Sequence, residues 1–151
     1  MPNKKKEPVL KIKIKKISPD AQIPKYSHEG DAGMDLVSVE NVVIKPNHRI
    51  AVRTGLQVEL PNGYEMQVRP RSGLALTKGI TVLNAPGTID SEYRGEIRVI
   101  LINLSSSDYS VEKGDKIAQA VINKFEKVKI EESKELSVTK RGEKGFGSTG
   151  K

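Results

Sequence analysis

The chain has 151 residues, the length of one domain able to bury a core unaided, and no cysteine, which excludes disulfide frameworks, thiolate nucleophiles and zinc–thiolate sites. The net charge of +7 invites a nucleic-acid reading, but seven lysines and a single acid, Glu7, occupy the first sixteen residues; residues 17–151 carry only about +1 and offer no basic DNA-binding face. No apolar run approaches the roughly 20 residues of a membrane span and Met1 to Lys6 leads into no signal-peptide core, so a soluble cytoplasmic protein is expected, without membrane association or specific nucleic-acid binding.

Leu10 to Lys15 alternates apolar residues with lysines, a period of two that predicts a strand with one buried face and a charged outer face that discourages edge pairing. Ser18 to Asp35, with two prolines and two glycines, predicts a long irregular connection of the kind that often carries function. Short apolar runs then recur at strand-like spacing: Leu36–Val39, Val42–Ile44, Ile50–Val52 and Leu56–Leu60, a Pro61-Asn62-Gly63 turn, and Tyr64–Val68. Ser72 to Lys78 predicts a helix of about two turns that begins after a good cap and stops at Gly79, with free N–H groups beside Arg71 favourable to an anion. Gly87 to Glu96 reads as a hairpin that places Asp90 three residues before Tyr93. Ile97–Leu104, Val111, Ile117–Ile122 and Val128–Ile130 continue the strand pattern. Ser137–Lys140 is the last stretch with a strand signal, and Arg141–Lys151 holds four glycines. The pattern predicts an all-β, jelly-roll-like barrel or sandwich with one short helix, divided into a body over residues 1–136 and a flexible C-terminal arm over residues 137–151.

Several chemistries are disfavoured by context. Gly145-Phe-Gly-Ser-Thr-Gly-Lys151 matches the start of a phosphate-binding loop, but no doubly wound pattern surrounds it. His28 and His48 are the only imidazoles; neither stands in a Ser, His and Asp arrangement, and no metal-ligand spacing appears.

Five short stretches remain, in order: Asp31-Ala-Gly-Met-Asp-Leu36, Pro70-Arg-Ser-Gly-Leu-Ala75, Gly87-Thr-Ile-Asp-Ser-Glu-Tyr-Arg-Gly95, Gly114-Asp-Lys-Ile-Ala-Gln119 and Arg141-Gly-Glu-Lys-Gly-Phe-Gly-Ser-Thr-Gly150. Singly each is a common turn or cap. Together, in this order and spacing, they closely resemble the five motifs of the trimeric deoxyuridine triphosphate nucleotidohydrolases (dUTPases). The resemblance implies a jelly-roll homotrimer with shared active sites and each arm closing over a neighbour's site. It also implies hydrolysis of dUTP to dUMP and pyrophosphate by water attack at the α-phosphorus, which limits uracil in DNA and supplies dUMP for thymidylate synthesis.

The same resemblance implies the residue roles. Asp90 is the base that orients the attacking water; as a carboxylate ionised at neutral pH it can accept the proton. Asp35 organises the magnesium and phosphate region, touching Mg2+ only through water, since magnesium is held by triphosphate oxygens and its own hydration. Arg71, Ser72 and Gly73 bind phosphate, as does Gln119. Lys116 stands where arginine is common, which keeps the charge but loses the planar fork. Asn84 bonds the uracil edge, backbone between Thr88 and Arg98, including Ile89, completes the base pocket, and Tyr93 lies beneath the deoxyribose. Arg141 and Phe146 cover the nucleotide, Gly147 is a further substrate contact, and Ser148 and Thr149 meet the γ-phosphate. Alternatives are a dCTP deaminase on the same fold, which the complete fifth motif disfavours, and a non-catalytic nucleotide-sensing module, which the intact Asp90 disfavours.

Overall fold

The computed structural model describes residues 9–148, so the Lys4–Lys6 cluster and Thr149 lie outside the described residues. Within them are eleven strands, β1 (Lys13–Lys16), β2 (Gly33–Val37), β3 (Val42–Ile44), β4 (Arg49–Arg53), β5 (Leu56–Glu59), β6 (Tyr64–Arg69), β7 (Ile80–Val82), β8 (Gly87–Ile89), β9 (Arg98–Asn103), β10 (Tyr109–Val111) and β11 (Lys116–Lys124), and one helix, α1 (Ser72–Lys78). A four-stranded sheet runs β2-β11-β6-β8 and a three-stranded sheet runs β4-β9-β7, with the ribbons β1-β5 and β3-β10 beside them. The neighbours pair antiparallel. The sheets stay open, so the architecture is the sandwich form of the expected jelly roll.

Period-two burial builds the core. In β9, Val99, Leu101 and Asn103 point inward, and in β6 Met66 and Val68 do. Of these, Val99, Leu101, Met66 and Val68 join Leu36, Val52, Ile80, Val82, Ala118, Ala120 and the ribbon residues Ile44, Leu56, Val58 and Val111 in one cluster. β11 departs from strict alternation because Ile117 and Ala118 are both buried. The register slips between Lys116, opposite Val37, and Ala118, opposite Leu36, so a bulge accommodates the extra inward residue.

Several sequence expectations are corrected. Asp35 is not in the long connection: β2 starts at Gly33 and carries it. α1 has the expected limits and its left-handed Gly79 cap, whose N–H reaches Ala75 O and Leu74 O, but its N-cap is Arg71, with no side-chain cap bond. Ile80–Val82 forms a strand too short to show a period. Val128–Ile130 and Ser137–Lys140 form none, because an alternating pattern yields a strand only where a ladder partner exists. Gly87–Glu96 is not a paired hairpin. β8 bonds β6 in one sheet while β9 bonds β4 and β7 in the other, so the stretch is a crossing between sheets closed by a turn, Tyr93 N to Asp90 O at 3.1 Å.

The buried Asn103 ties β9 to its surroundings. Its Nδ2 donates to Ile44 O (2.7 Å) and Ser107 O (2.8 Å), and its Oδ1 accepts from Ser105 N (2.9 Å) and Ser105 Oγ (2.7 Å). Asn103→Ala leaves Ile44 O unpaired in the core and releases the Ser105–Ser107 turn; it is expected to cost about 3 kcal/mol of stability in urea denaturation, whereas a loss below about 1 kcal/mol would show that the site relaxes around the deletion.

Candidate active site

Because β11 pairs with β2 on one side and β6 on the other, Asp35, Gln119 and Arg69 stand directly opposite one another across three strands. All three are only partly buried, on the face away from the core. Asp35 is the hub of a charge cluster: Oδ1 meets Arg71 Nε at 3.2 Å and Oδ2 meets Lys116 Nζ at 2.8 Å. Arg71 Nη1 also donates to Lys116 O at 3.2 Å. The Gln119 amide donates to Pro70 O at 2.9 Å, and its oxygen lies where a Cβ on Gly33 would be, so glycine at 33 makes room for it. Asp35, Arg71, Ser72, Gly73 and Gln119 line a polar recess of about 220 Å3. Ser72 and Gln119 are shared with a larger cavity of about 540 Å3, also lined by Gln67, Arg69, Pro70, Ala85 and Pro86. With three cations against one carboxylate, this corner suits a polyanion.

The second cluster is the sheet crossing. Thr88 and Ile89 belong to β8, and Asp90 follows, exposed and with its carboxylate free of hydrogen bonds and ion pairs among the described residues. Tyr93 Oη donates to Glu96 O at 3.1 Å, laying the ring across Gly95, where any Cβ would overlap it. Asn84 is exposed between β7 and β8, its amide nitrogen 3.3 Å from where a Gly87 Cβ would stand. The Arg98 side chain is engaged by Glu96 Oε2 at 3.2 Å, which leaves its main chain as the candidate contact.

The structure thus brings Asp35, Arg71, Ser72, Gly73 and Gln119 together, and Asn84, Thr88, Ile89, Asp90 and Tyr93 onto one loop region, but it does not join the two groups. Counting along the ladders, β8 ends with Ile89 opposite Met66, three residues from Arg69, Asp90 follows one residue further on, and β8 lies three strand spacings from β2. That is about 13 Å along and about 14 Å across, or roughly 20 Å from Asp35. Arg141, Phe146, Gly147 and Ser148 join neither group. They lie exposed beyond Phe125, whose N–H to Gly63 O is, among the described residues, the last backbone bond between the C-terminal segment and the body, and they bond within their own segment, with Arg141 Nε on Lys144 O at 2.8 Å. Arg69 is the residue that sequence reasoning missed; the signal was its place in Arg69-Pro70-Arg71, directly before Ser72.

An open β-sandwich with a polyanion corner and an aromatic, acidic loop is the architecture of a nucleotide-handling β protein. The dUTPase family profile matches residues 19–150, and the chain belongs to that family. It is 57% identical over 142 residues to the deoxyuridine 5'-triphosphate nucleotidohydrolase of Hydrogenobaculum sp. (strain Y04AAS1), covering 93% of this chain and 99% of that one. Among solved structures, a mutant dUTPase of Staphylococcus bacteriophage 80alpha with dUpNHpp superposes with a TM-score of 0.87 at 28% identity, over 93% of this chain and 98% of that chain. A mutant dUTPase from phage phi11 of S. aureus, described with a structural Mg(II) ion, shares the fold with a TM-score of 0.79 at 23% identity, over 85% of this chain and 99% of that chain. No helix among the described residues is long and apolar enough to cross a membrane.

The Gly33 contact is directly testable. A methyl in Gly33→Ala pushes the flexible Gln119 amide aside at little cost to the fold. Calorimetric titration with a non-hydrolysable nucleoside triphosphate is expected to show about tenfold weaker binding, the worth of roughly one charge-assisted hydrogen bond, with an unchanged melting temperature. Unchanged affinity would remove Gln119 from the site.

Proposed function

We propose that this protein hydrolyses dUTP to dUMP and pyrophosphate, with Asp90 orienting and deprotonating a water that attacks the α-phosphorus. The observation that carries the reading is the extent of the family match, residues 19–150, which takes in the phosphate corner, the Asp90 loop and the arm together. Catalysis is then chiefly alignment and charge neutralisation.

Recognition of the base falls to β8 and its loop. β8 ends the four-stranded sheet, so its backbone groups facing away from β6 have no ladder partner among the described residues. Uracil offers O4 as acceptor and N3–H as donor, whereas cytosine reverses both. Fixed backbone polarity from Thr88 and Ile89 to Arg98, with the Asn84 amide, leaves buried groups unpaired against cytosine, a mismatch worth up to about 10⁴ in specificity. The 5-methyl of thymine does not fit a tight slot. Tyr93 lies beneath the sugar, where it leaves no room for a 2′-hydroxyl.

Arg71, Ser72, Gly73 and Gln119 hold the phosphates. Asp35 is the only carboxylate lining the recess and is already bound by two cations, and no group of three or more His, Cys, Asp or Glu among the described residues is arranged to hold a metal. This donor set fits Mg2+ held mainly by triphosphate oxygens and water, with Asp35 reached through water. Bound in that way, magnesium supplies charge neutralisation at the phosphates.

The roughly 20 Å between Asp35 and Asp90 supports a site shared between chains, because a base acts only within about 3 Å of its water. We read the assembly as a homotrimer in which one copy's corner meets another's loop. Residues 137–151 form the lid on a neighbour's site, with Arg141 and Phe146 over the nucleotide, Gly147 as a further substrate contact, and Ser148 and Thr149 at the γ-phosphate.

Pyrophosphate release with dUTP, dCTP, dTTP and UTP, with and without magnesium, tests this reading; dUTP alone should turn over efficiently. In the same assay Asp90→Asn is expected to bind dUTP nearly normally and lose about 10³-fold or more in kcat, the scale of general-base catalysis. Normal turnover in that variant removes Asp90 from the role, and ammonia release from dCTP would point to a deaminase. Deleting Arg141–Lys151 is expected to abolish most activity while sedimentation still reports a trimer; dissociation into monomers would make the segment an assembly element.

A further inference from the structure

Glu96 closes the sheet crossing, and the reading above gives it no task. Its carboxylate side chain is 9% exposed. Arg53 Nε lies 3.1 and 3.2 Å from the two carboxylate oxygens, Gly55 N donates to Oε1 at 3.0 Å, and Arg98 Nε donates to Oε2 at 3.2 Å. Arg53 and Arg98 face each other directly in the β4–β9 ladder, so without Glu96 two like charges would be opposed at its end. The next residue is pinned to the same place: Ile97 N donates to Leu56 O at 2.8 Å, and the buried Thr54 hydroxyl donates to Ile97 O at 2.6 Å. The C-terminal root of the loop is therefore fastened to Arg53–Leu56, at the β4–β5 turn.

That root sets the Tyr93 ring. Tyr93 Oη donates to the carbonyl of Glu96 itself, and the ring fits only because Gly95 has no side chain. A movement of the Glu96 backbone moves the hydrogen-bond acceptor on which the phenol rests. Gln57 holds the loop from outside through Arg94 O at 2.7 Å, but it grips the backbone two residues before that acceptor.

We infer that Glu96 is a positioning residue for sugar discrimination: by clamping the loop root to Arg53 and Gly55 it fixes the Tyr93 ring at the height that admits a deoxyribose and rejects a ribose. This rests on the reading that Tyr93 lies beneath the sugar. Loosening the root lets the ring drop away, so a 2′-hydroxyl becomes tolerable while the uracil contacts of Thr88, Ile89 and Asn84, on the other arm of the loop, persist.

The test is the ratio of kcat/KM for dUTP to that for UTP, measured by pyrophosphate release on the full-length protein. Overall stability enters both terms alike and cancels. Glu96→Ala is expected to lower the ratio about tenfold, mainly through a rise in UTP turnover, as expected for a shape filter loosened by the loss of about one hydrogen bond's worth of hold. A folded Glu96→Ala protein with the wild-type ratio overturns the inference. If that variant does not fold, Arg53→Ala, which removes the guanidinium gripping both carboxylate oxygens, gives the same readout: a fall supports the clamp and an unchanged ratio overturns it. Wild-type protein that releases no pyrophosphate from dUTP would overturn the functional reading itself, whereas wild-type turnover with unaltered variant ratios overturns only the role of Glu96.

Discussion

β11 is bonded on both edges at once, to β2 through Gln119 opposite Asp35 and to β6 through Gln119 opposite Arg69, and this double pairing creates the charged corner. A register slip of one residue on either side would turn Asp35 or Arg69 into the core and bring buried leucine and valine out. The bulge at Ile117 lets Lys116 reach Asp35 at 2.8 Å while Ile117 and Ala118 both stay inside. The register that buries the core and the register that aligns the corner are one constraint, so the corner is as rigid as the sheet that carries it.

The Asp90 loop answers to a different constraint. It must leave one sheet at Ile89 and enter the other at Arg98, and the two flanks take hydrogen bonds from different neighbours. A paired hairpin would have spent the outward backbone groups of β8 on β9. A crossing leaves them free of ladder bonds and puts the buried contacts at the root, where Glu96, Thr54 and Ile97 are. The loop is consequently fixed at its base and open at Asp90, which suits a group that has to meet water.

The elements with sustained alternation, β5, β6 and β9, are legible in the sequence because each buries every second side chain against one core. β7 is not, since three residues carry no period, and Val128–Ile130 shows the reverse case, a strand pattern with no partner to realise it. The hairpin reading of Gly87–Glu96 failed for a related reason: flanking apolar runs reveal that strands exist, not which strands they join, because pairing is a long-range choice. Asp35 looked like loop because it closes a stretch with two prolines and two glycines, Gly33 among them. Gly33 is there instead to admit the Gln119 amide, a contact 86 residues away that no local pattern encodes. Most of the proposed site residues were nominated by their ordered motifs, and Arg69 had only its place before Pro70-Arg71 as a signal, whereas Glu96 became visible through the partners that the fold assigns it.

The charge cluster also explains how lysine serves at position 116. Each Asp35 oxygen has its own cation, Arg71 on Oδ1 and Lys116 on Oδ2, so neither partner needs a two-pronged grip. A compact ammonium is sufficient for a single oxygen, and the guanidinium of Arg71 keeps its Nη1 on Lys116 O. Asp35 holds two like charges side by side that would otherwise repel, and it does so only part-way out of water, where the pairing is strong enough to orient them and weak enough to yield. On the proposed reading, an arriving triphosphate carries more negative charge than one carboxylate and can draw both cations toward itself without their having to be assembled anew. The corner is in this sense preorganised by an acid, and the departure from arginine at 116 costs it a fork that its geometry does not use.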